Sequence, residues 1–168
     1  MKIIAFDLSL TATGYATPET VGLLKPPDLN GLARLQWIRD NVVRLAALSM
    51  IAVVEGYSFG SGNRAHHLGE LGGVVRLALH EAKHPLVVIP PHSQAKYATG
   101  KGNAPKEAVL VEAVKRLQYA GHDHNESDAL WLLAMACDHY GAPLCAVPEG
   151  HRSALAKIEW PDVGKLHR

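Results

Sequence analysis

The sequence predicts an α/β fold in which helices cover both faces of a mixed β-sheet. Two observations carry this prediction. The first 25 residues have the pattern of a three-strand antiparallel meander, and apolar strands then alternate with amphipathic helices. The apolar runs 3–6 and 51–54 have no polar face, as expected of a central parallel pair that is buried under helices on both sides.

The first half of the chain supplies most of the predicted sheet. Strands are expected at 3–8, at "TGYAT" and at "TVGLLK", with turns near 11–13 and 18–19. A helix then begins near Asp28 or Asn30, and its apolar residues recur at helical spacing: Leu32, Leu35, Ile38, Val42, Leu45 and Leu48. The strand "SMIAVVE" follows. The next helix is interrupted by glycines and has a second apolar set: Leu68, Leu71, Val74, Val75 and Leu79.

The second half begins with the short strand "LVVIPP", after which "HSQAKYATGKGNAPKEAV" is expected to form a loop. A helix follows with four residues predicted to face inward: Val109, Ala113, Val114 and Leu117. The last clear element is the helix "NESDALWLLAMACDHYG", which ends at Gly141 and Pro143. We therefore expect one domain over residues 1–141. Residues 142–168 carry proline, glycine and scattered charge and are expected to be a tail, partly ordered at best.

Composition narrows the class of protein. The 168 residues suit one domain, and 48% hydrophobic with 20% charged residues is ordinary for a water-soluble protein. No apolar stretch has membrane-spanning length, and the N-terminus lacks the pattern of a signal peptide. Cys137 and Cys145 have neither metal-ligand nor disulfide-framework spacing, so we expect a cytoplasmic protein. With a net charge of only +1, any site for a polyanion must be local.

Two of the predicted strands end on a carboxylate. Asp7 follows the run 3–6, and Glu55 follows the run 51–54. Functional groups of open α/β sheets gather at the carboxyl ends of strands, so parallel neighbours would place these side chains side by side. One of two such charges tends to protonate unless a cation neutralises them, and hard oxygen ligands suit Mg²⁺ or Mn²⁺. The strand "LVVIPP" ends without an acid, so the pattern is not general in this chain.

Each acid also has a simpler interpretation, in which it only caps the turn after its strand. A third acid favours a site. In "GHDHNESDALWLL", Asn125 is the predicted N-cap, and Asp128 lies three residues later on the same helical face. That face continues through Leu132 and Met135, so Asp128 is expected to point at the sheet. The alternative is a capping box, in which Asp128 only binds the first turn.

Residues beside Asn125 make zinc an alternative to magnesium or manganese. Two histidines and two acids, His122, Asp123, His124 and Glu126, lie next to it, and any of them could turn inward. The spacing of the histidines could suggest zinc, but the sequence has no second cluster of soft ligands to complete such a site. Zinc therefore stays an alternative.

Four stretches in this order resemble the RuvC-like Holliday junction resolvases of the RNase H-like nuclease superfamily. They are "FDLSLTATGYA", "VVEGYSFGSGNRAHHLGELGGVV", "AKYATGKGNAPKEAV" and "NESDALWLLA", and together they cover about residues 1–141. The resemblance implies an RNase H-like fold and an Mg²⁺-dependent endonuclease, with Mn²⁺ as a substitute, that cuts branched DNA as a homodimer. Two metal ions about 4 Å apart can activate a water and clamp the scissile phosphate.

The site residues that the resemblance implies are those already singled out. Asp7 would bridge the two ions, Glu55 would complete one of them, and Asp128 with Asn125 would complete the other. The chain departs from the family at Asn125, where an acid or a histidine is usual. Glu126 and Asp123 are therefore alternatives for the fourth ligand.

Positive charge is concentrated between residues 93 and 118, which hold three more basic than acidic residues. The glycines of "TGKGNAPK" let backbone amides approach a phosphate, and a lysine lies at either end. The Gly-Lys-Ser/Thr ending of a nucleotide-phosphate loop is absent. We expect Lys96, Lys101 and Lys106 to contact DNA, and an ordinary solvated loop is the alternative.

Other side chains have a less specific pattern. Tyr57 and Phe59 follow Glu55 closely and are candidates for stacking on opened bases, although aromatics at this spacing are more often core residues. Four basic residues have no predicted role and are expected to lie on the solvated surface: Lys2, Arg34, Arg39 and Arg44.

Three other functions compete with a junction resolvase. One is an RNase H-like nuclease that acts on RNA–DNA hybrids or flaps. Another is a junction-binding module with a degenerate site, which Asn125 keeps open. The stretch "DLSLTATG" also resembles the first phosphate loop of actin-like and sugar kinases, but that fold needs two such domains and a second glycine-rich loop, for which this chain has no room.

Overall fold

The computed structural model describes residues 1–56 and 63–162, and these form a five-stranded sheet with helices on both faces. The strands are β1 Ile3–Asp7, β2 Thr13–Ala16, β3 Val21–Leu24, β4 Ile51–Glu55 and β5 Leu86–Ile89, in the order β3-β2-β1-β4-β5. The first three pair antiparallel, whereas β1–β4 and β4–β5 pair parallel. The predicted mixed sheet, with its meander and its central parallel pair, is confirmed.

Six α-helices are described in this part of the chain: α1 Gly31–Ala46, α2 Asn63–Glu81, α3 Pro91–Thr99, α4 Lys106–Leu117, α5 His124–His139 and α6 Glu149–Arg152. Helices α1 and α2 pack on one face of the sheet, around Phe6 and Val54. Helices α3, α4 and α5 cover the other face, around Ala5 and Val53. Alternating residues of β1 and β4 therefore enter two different cores, which is why the sequence of these strands is apolar throughout. Within the described residues, no helix is long and apolar enough to cross a membrane.

Helix α5 is the central helix of its layer. Residues 127–138 are all buried, and the helix contacts β1, β2 and β4 as well as α3 and α4. Trp131, which is completely buried, donates from Nε1 to the carbonyl oxygen of Val109 at 3.1 Å and so fixes α5 to α4. A helix enclosed on all sides holds the residues of its first turn in place at the sheet edge.

The expectation of a loop from residue 92 to 109 is wrong at both ends, because residues 91–99 form α3 and α4 begins at Lys106. Pro91 occupies the first turn, where a missing N–H costs nothing. Gly100 ends the helix with φ +85°, a conformation that glycine adopts without strain. Tyr97 and Ala98 bury one face of the helix. Glycines and lysines further along dominated the pattern and concealed this helical spacing.

Three residues predicted to face the core are exposed instead: Leu32, Leu48 and Val114. Leu48 lies beyond the end of α1 and is 74% exposed, whereas Leu32 lies in the first turn and is 78% exposed. Val114 follows the buried Ala113 directly and is therefore rotated off the inward face of α4. The other buried residues of both helices belong to the predicted sets, except Ala46 of α1.

Residues 142–162, assigned to the C-terminal tail, carry α6 and a 3₁₀ turn at Leu155–Lys157. Ala154 and Ile158 of this segment are buried in the same core as α5. Arg152 makes two hydrogen bonds of 2.9 Å to the buried carboxylate of Asp138, which also accepts a hydrogen bond from the Tyr97 hydroxyl at 2.9 Å. The domain boundary at residue 141 stays a prediction.

Tyr97→Phe would remove the hydroxyl that donates to Asp138 and leave the ring packed against Trp131. We expect the free energy of unfolding to fall by about 2 kcal/mol in urea denaturation, because the acceptor is a buried charge. Tyr140→Phe is the matched control, since its half-buried hydroxyl donates to the neutral carbonyl of Pro161, and it should cost less than about 1 kcal/mol. Equal losses in the two variants would contradict the prediction.

Candidate active site

The carboxyl ends of β1 and β4 bring two acids together. Phe6 pairs with Val54 in parallel register, so the next residues, Asp7 and Glu55, lie side by side at one edge of the sheet. Asp7 is only 4% exposed, and the two carboxyl groups share a hydrogen bond. The sequence-based prediction of neighbouring strand-end acids is confirmed in its geometry.

Burial raises the pKa of both acids. The pKa of Asp7 lies well above its usual range, first because the group is desolvated and then because Glu55 and Asp128 are close. Burial and the charge of Asp128 raise the pKa of Glu55 to about 7. At neutral pH this edge of the sheet therefore holds a proton or attracts a cation.

Asp128 approaches the same place from the first turns of α5. It is 6% exposed, and its Oδ1 accepts a hydrogen bond from Gln94 Nε2 at 3.2 Å. Its Oδ2 lies 3.2 Å from the ammonium of Lys106. Burial raises the pKa of Asp128, and Lys106 opposes this effect. Because Asp128 binds side chains of α3 and α4, the capping-box interpretation of this residue is wrong.

Lys106 is the cation of the cluster. It is the first residue of α4, so its side chain begins beside the sheet edge. Burial lowers its pKa, but attraction by Asp128, Asp7 and Glu55 outweighs that effect and the pKa is raised overall. The ammonium thus stays protonated and neutralises one of the three carboxylates.

Helix α5 begins at His124, and the expectation that Asn125 is its N-cap is wrong. Asp123 is the N-cap, and its Oδ1 accepts from the backbone N–H of Asn125 at 2.8 Å and of Glu126 at 3.2 Å. Asn125 Nδ2 instead donates to the carbonyl of Ala12 at 2.8 Å. Because Asp123 caps the helix, the side-chain oxygen Oδ1 of Asn125 stays available as a ligand in the first turn.

Two alternatives for a fourth ligand have other partners. Asp123 caps the helix, and Glu126 accepts a hydrogen bond from the hydroxyl of Tyr119. Asn125, by contrast, lines the same cavity as Asp7 and Glu55. The geometry therefore favours Asn125 over the two acids as the neighbour of the carboxylate pair.

The cavity in front of these acids has a volume of about 610 Å³, which is enough for part of a nucleic acid strand. Lys106 and Asn125 border it on the α4 and α5 side. Arg34 of α1 and His67 of α2 also line it. The expectation that Arg34 is solvated surface is therefore wrong: the residue is half-buried at the mouth of the acidic site.

The other predicted DNA contacts lie elsewhere or outside the described residues. Lys96 is in the last turn of α3, and Lys101 is exposed after the end of that helix. The described part of the cavity wall includes neither of them. Tyr57 and Phe59 fall outside the described residues. Contacts of all four with DNA stay predictions.

Among residues 1–56 and 63–162, no group of three or more His, Cys, Asp or Glu side chains is arranged to hold a metal ion. Binding of magnesium, and of zinc as the alternative, stays a prediction. In this arrangement the carboxylate of Asp128 is turned to Lys106 and Gln94. The donor set itself suits a hard divalent cation, because it offers carboxylate and amide oxygens and an excess of buried negative charge.

Several solved structures share this architecture. The structure of Thermus thermophilus RuvC superposes with a TM-score of 0.65 at 20% identity, over 88% of this chain and 100% of that one. The chain has the RuvC fold. The same bacterial protein in complex with Holliday junction substrate gives a TM-score of 0.64 at 21% identity, over 88% and 99% of the two chains.

A viral protein extends the likeness. The fowlpox virus resolvase, in a complex with substrate Holliday junction DNA, matches with a TM-score of 0.52 at 13% identity, over 84% of this chain and 99% of that one. No family model matches the chain, and no curated protein matches it in sequence. The resemblance to RuvC-like resolvases that the four motifs indicate is thus confirmed for the fold.

The sequence did not identify Gln94 or Arg34 as neighbours of the site. Gln94 is 2% exposed and donates to both the carbonyl and Oδ1 of Asp128, at 3.0 and 3.2 Å. The helical spacing of buried residues in "HSQAKYA" could have revealed it. The sequence holds no comparable signal for Arg34, because its position depends on where the start of α1 docks.

Gly14→Ala should disturb the site without changing any of its polar side chains. A Cβ at Gly14 would overlap the carbonyl group of Asn125, so β2 and the first turn of α5 would have to separate. We expect a loss of about 3 kcal/mol in the free energy of unfolding by urea denaturation. The matched control is Gly22→Ala on β3, where the three atoms nearest to the Cβ belong to the Tyr15 side chain rather than to backbone, its hydroxyl at 2.7 Å. A Gly14→Ala variant as stable as this control would refute the prediction.

Glu55→Gln should change the pH dependence of stability. The pKa of Glu55 rises on folding from 4.5 to about 7, so the folded state binds this proton more tightly and ionisation destabilises it. Without metal, the free energy of unfolding of the wild type should fall by about 3 kcal/mol more than that of the variant between about pH 4 and about pH 8.

The control for this pH series is Glu112, a carboxylate whose pKa is lowered rather than raised. Arg116 holds the pKa of Glu112 below its usual range, so Glu112→Gln should remove a contribution that grows as pH rises toward about 4.5 and stays constant above it, instead of falling toward pH 8. Both series are read from urea denaturation at each pH. Parallel curves for the wild type and Glu55→Gln would count against the raised pKa of Glu55.

Proposed function

We propose that this protein is a metal-dependent, structure-selective endodeoxyribonuclease that resolves four-way (Holliday) or other branched DNA by paired nicks. The observation that carries the proposal is the cluster of Asp7, Glu55 and Asp128 with Lys106 at the carboxyl edge of the central parallel strands, in a chain with the RuvC fold. The solved complexes of T. thermophilus RuvC and of the fowlpox virus resolvase with Holliday junctions support the choice of substrate.

The cofactor proposed for this site is Mg²⁺, with Mn²⁺ as a substitute. Asp7, Glu55, Asp128 and Asn125 would hold it. When bound, divalent cations activate a water and stabilise the charge on the scissile phosphate and the leaving oxygen. Two buried acids with raised pKa values support the proposal, because they gain most from a nearby positive charge.

The chain's own residues prepare the site for a phosphodiester. The side-chain amide of Gln94 donates to both the backbone carbonyl and Oδ1 of Asp128. This carboxylate therefore keeps its direction when Lys106 moves away. Lys106 has a side chain that is 63% exposed, so its ammonium can turn from Asp128 to an incoming phosphate. Asn125 keeps Oδ1 available because Nδ2 is fixed to Ala12. Contacts with the phosphodiester would thus replace the salt bridge between Lys106 and Asp128.

Paired nicks require two active sites that face two strands. A four-way junction has approximate two-fold symmetry, and a symmetric homodimer would present two identical sites to it. We therefore include a homodimer in the proposal. A cytoplasmic role in DNA recombination and repair, and DNA contacts by Lys96, Lys101, Tyr57 and Phe59, belong to the same proposal.

A second candidate is a junction-binding module without nuclease activity. The observation in its favour is that the described acids are not arranged to hold a metal ion while Asp128 is paired with Lys106. Asn125 supports it as well, because an amide oxygen attracts a cation less than a carboxylate does. The two candidates differ in whether Mg²⁺ produces cleavage.

The test is cleavage of a synthetic four-way junction, a Y-fork, a duplex and an RNA–DNA hybrid, with Mg²⁺ or with a chelator. We expect symmetric nicks in the junction, only with Mg²⁺. Asp7→Asn should lower the rate by about a thousandfold and preserve junction binding, because it removes a charge from the buried pair.

The matched control is Asp40→Asn, which removes an exposed carboxylate paired with Arg39 on α1 and should leave the rate unchanged. Cleavage by Asp7→Asn at the wild-type rate would overturn the assignment of the site. Tight junction binding without cleavage by the wild type would favour the binding module, and cleavage of the hybrid alone would favour an RNase H-like activity.

A further inference from the structure

Arg34 is held at the mouth of the acidic cavity by two hydrogen bonds. Its Nε donates to the carbonyl oxygen of Leu29 at 2.6 Å, and its Nη2 donates to Oδ1 of Asn30 at 3.0 Å. The residue lines the cavity that contains Asp7 and Glu55. Together the two hydrogen bonds fix the direction of the guanidinium at the mouth of the cavity.

The cost of this arrangement is visible at the start of α1. Asn30 is the N-cap of the helix, and an N-cap asparagine ordinarily accepts from the backbone N–H groups of the first turn. Here it makes no such hydrogen bond, and its Oδ1 accepts from Arg34 instead. The side chain of Asn30 thus orients the guanidinium of Arg34 and does not cap the helix. Departures of this kind from local preference are typical of functional positions.

The guanidinium still has donors to offer. Of its five N–H groups, two are used by Leu29 and Asn30, and the others have no partner among the described residues. The planar fork of arginine suits the oxygens of a phosphate, which it can bind through two parallel hydrogen bonds.

Charge around the cavity points to the same ligand. Two permanently charged cations of the described residues line it, Lys106 from α4 and Arg34 from α1. These helices pack on opposite faces of the sheet, so the cations lie on either side of the strand-end acids. Lys106 is paired with Asp128, whereas Arg34 has no acidic partner in the described structure. A phosphodiester approaching Asp7 and Glu55 needs such a charge to offset their repulsion.

A second cavity shows where the strand would continue. It has a volume of about 430 Å³ and shares Leu10, Arg34 and His67 with the first. It extends past the exposed Leu32 at the start of α1. Arg34 therefore stands between the acidic cavity and an adjoining groove, where a backbone phosphate next to the scissile one would lie.

We propose that Arg34 binds a DNA phosphate adjacent to the scissile phosphate and holds the cut strand against the acidic cavity, from the side opposite Lys106. This inference rests on the proposed nuclease function and adds a substrate-binding residue to it. It assigns to α1 a direct contact with the strand that is cut.

The test compares Arg34→Ala with Arg44→Ala, which removes the same charge from the last turn of the same helix, where Arg44 donates to Asn41. Binding of a four-way junction is measured without divalent cation over about 50 to 200 mM salt. Arg34→Ala should bind about tenfold more weakly, and its logarithmic salt slope should be smaller by about 0.9, because one phosphate contact is lost. Arg44→Ala should behave as the wild type does.

Arg34→Lys separates charge from structure. This variant keeps the positive charge but lacks the fork that binds Leu29 and Asn30. It should retain the wild-type salt slope even where thermal unfolding shows a loss of stability similar to that of Arg34→Ala. An alanine variant with the slope and affinity of Arg44→Ala would overturn the role of Arg34 alone. A wild type that binds no branched DNA would overturn the proposed function together with it.

Discussion

Repulsion among buried carboxylates is the constraint on which the rest of this site depends. Asp7, Glu55 and Asp128 converge at one edge of the sheet, and burial raises the pKa of each. Such a cluster is unfavourable by itself, because desolvation and like charge act in the same direction. The chain tolerates it with the ammonium of Lys106 and with a hydrogen bond between Asp7 and Glu55. Stability is thus given up at the site where we propose that a cation and a phosphate bind.

The surrounding fold keeps these charges from moving apart. Strand pairing fixes Asp7 and Glu55, since both follow β-residues in direct parallel register. Asp128 depends on α5, which is buried on all sides and approaches β2 so closely that Gly14 admits no side chain. Gln94 then fixes the carboxylate itself. Strand pairing therefore holds two of the acids and helix packing holds the third, and none can relax away from the others without unfolding a packed element.

The sequence predicts the strand-end acids because a buried strand leaves an unambiguous apolar run, and an acid at its end is conspicuous. It also predicts the direction of Asp128, since Leu132 and Met135 define the inward face of α5. It fails where several local patterns compete. Asp123 and Asn125 are both good N-caps; Asp123 takes the role, whereas Asn125 is turned to the carbonyl of Ala12, 113 residues earlier in the chain. Contacts of this range leave no periodic signal.

Asn125 fits the charge balance of the site better than an acid would. A fourth carboxylate beside Asp7 and Glu55 would add repulsion, with Lys106 as the nearest cation to offset it. The amide keeps an oxygen donor at that position and adds no charge, and its nitrogen joins α5 to the β1–β2 loop. The metal-free protein is consequently less strained than one with four acids, while its attraction for a divalent cation is weaker. In the proposed metal site, cation affinity and stability of the free site would thus oppose each other, and the residue at position 125 would set the balance between them.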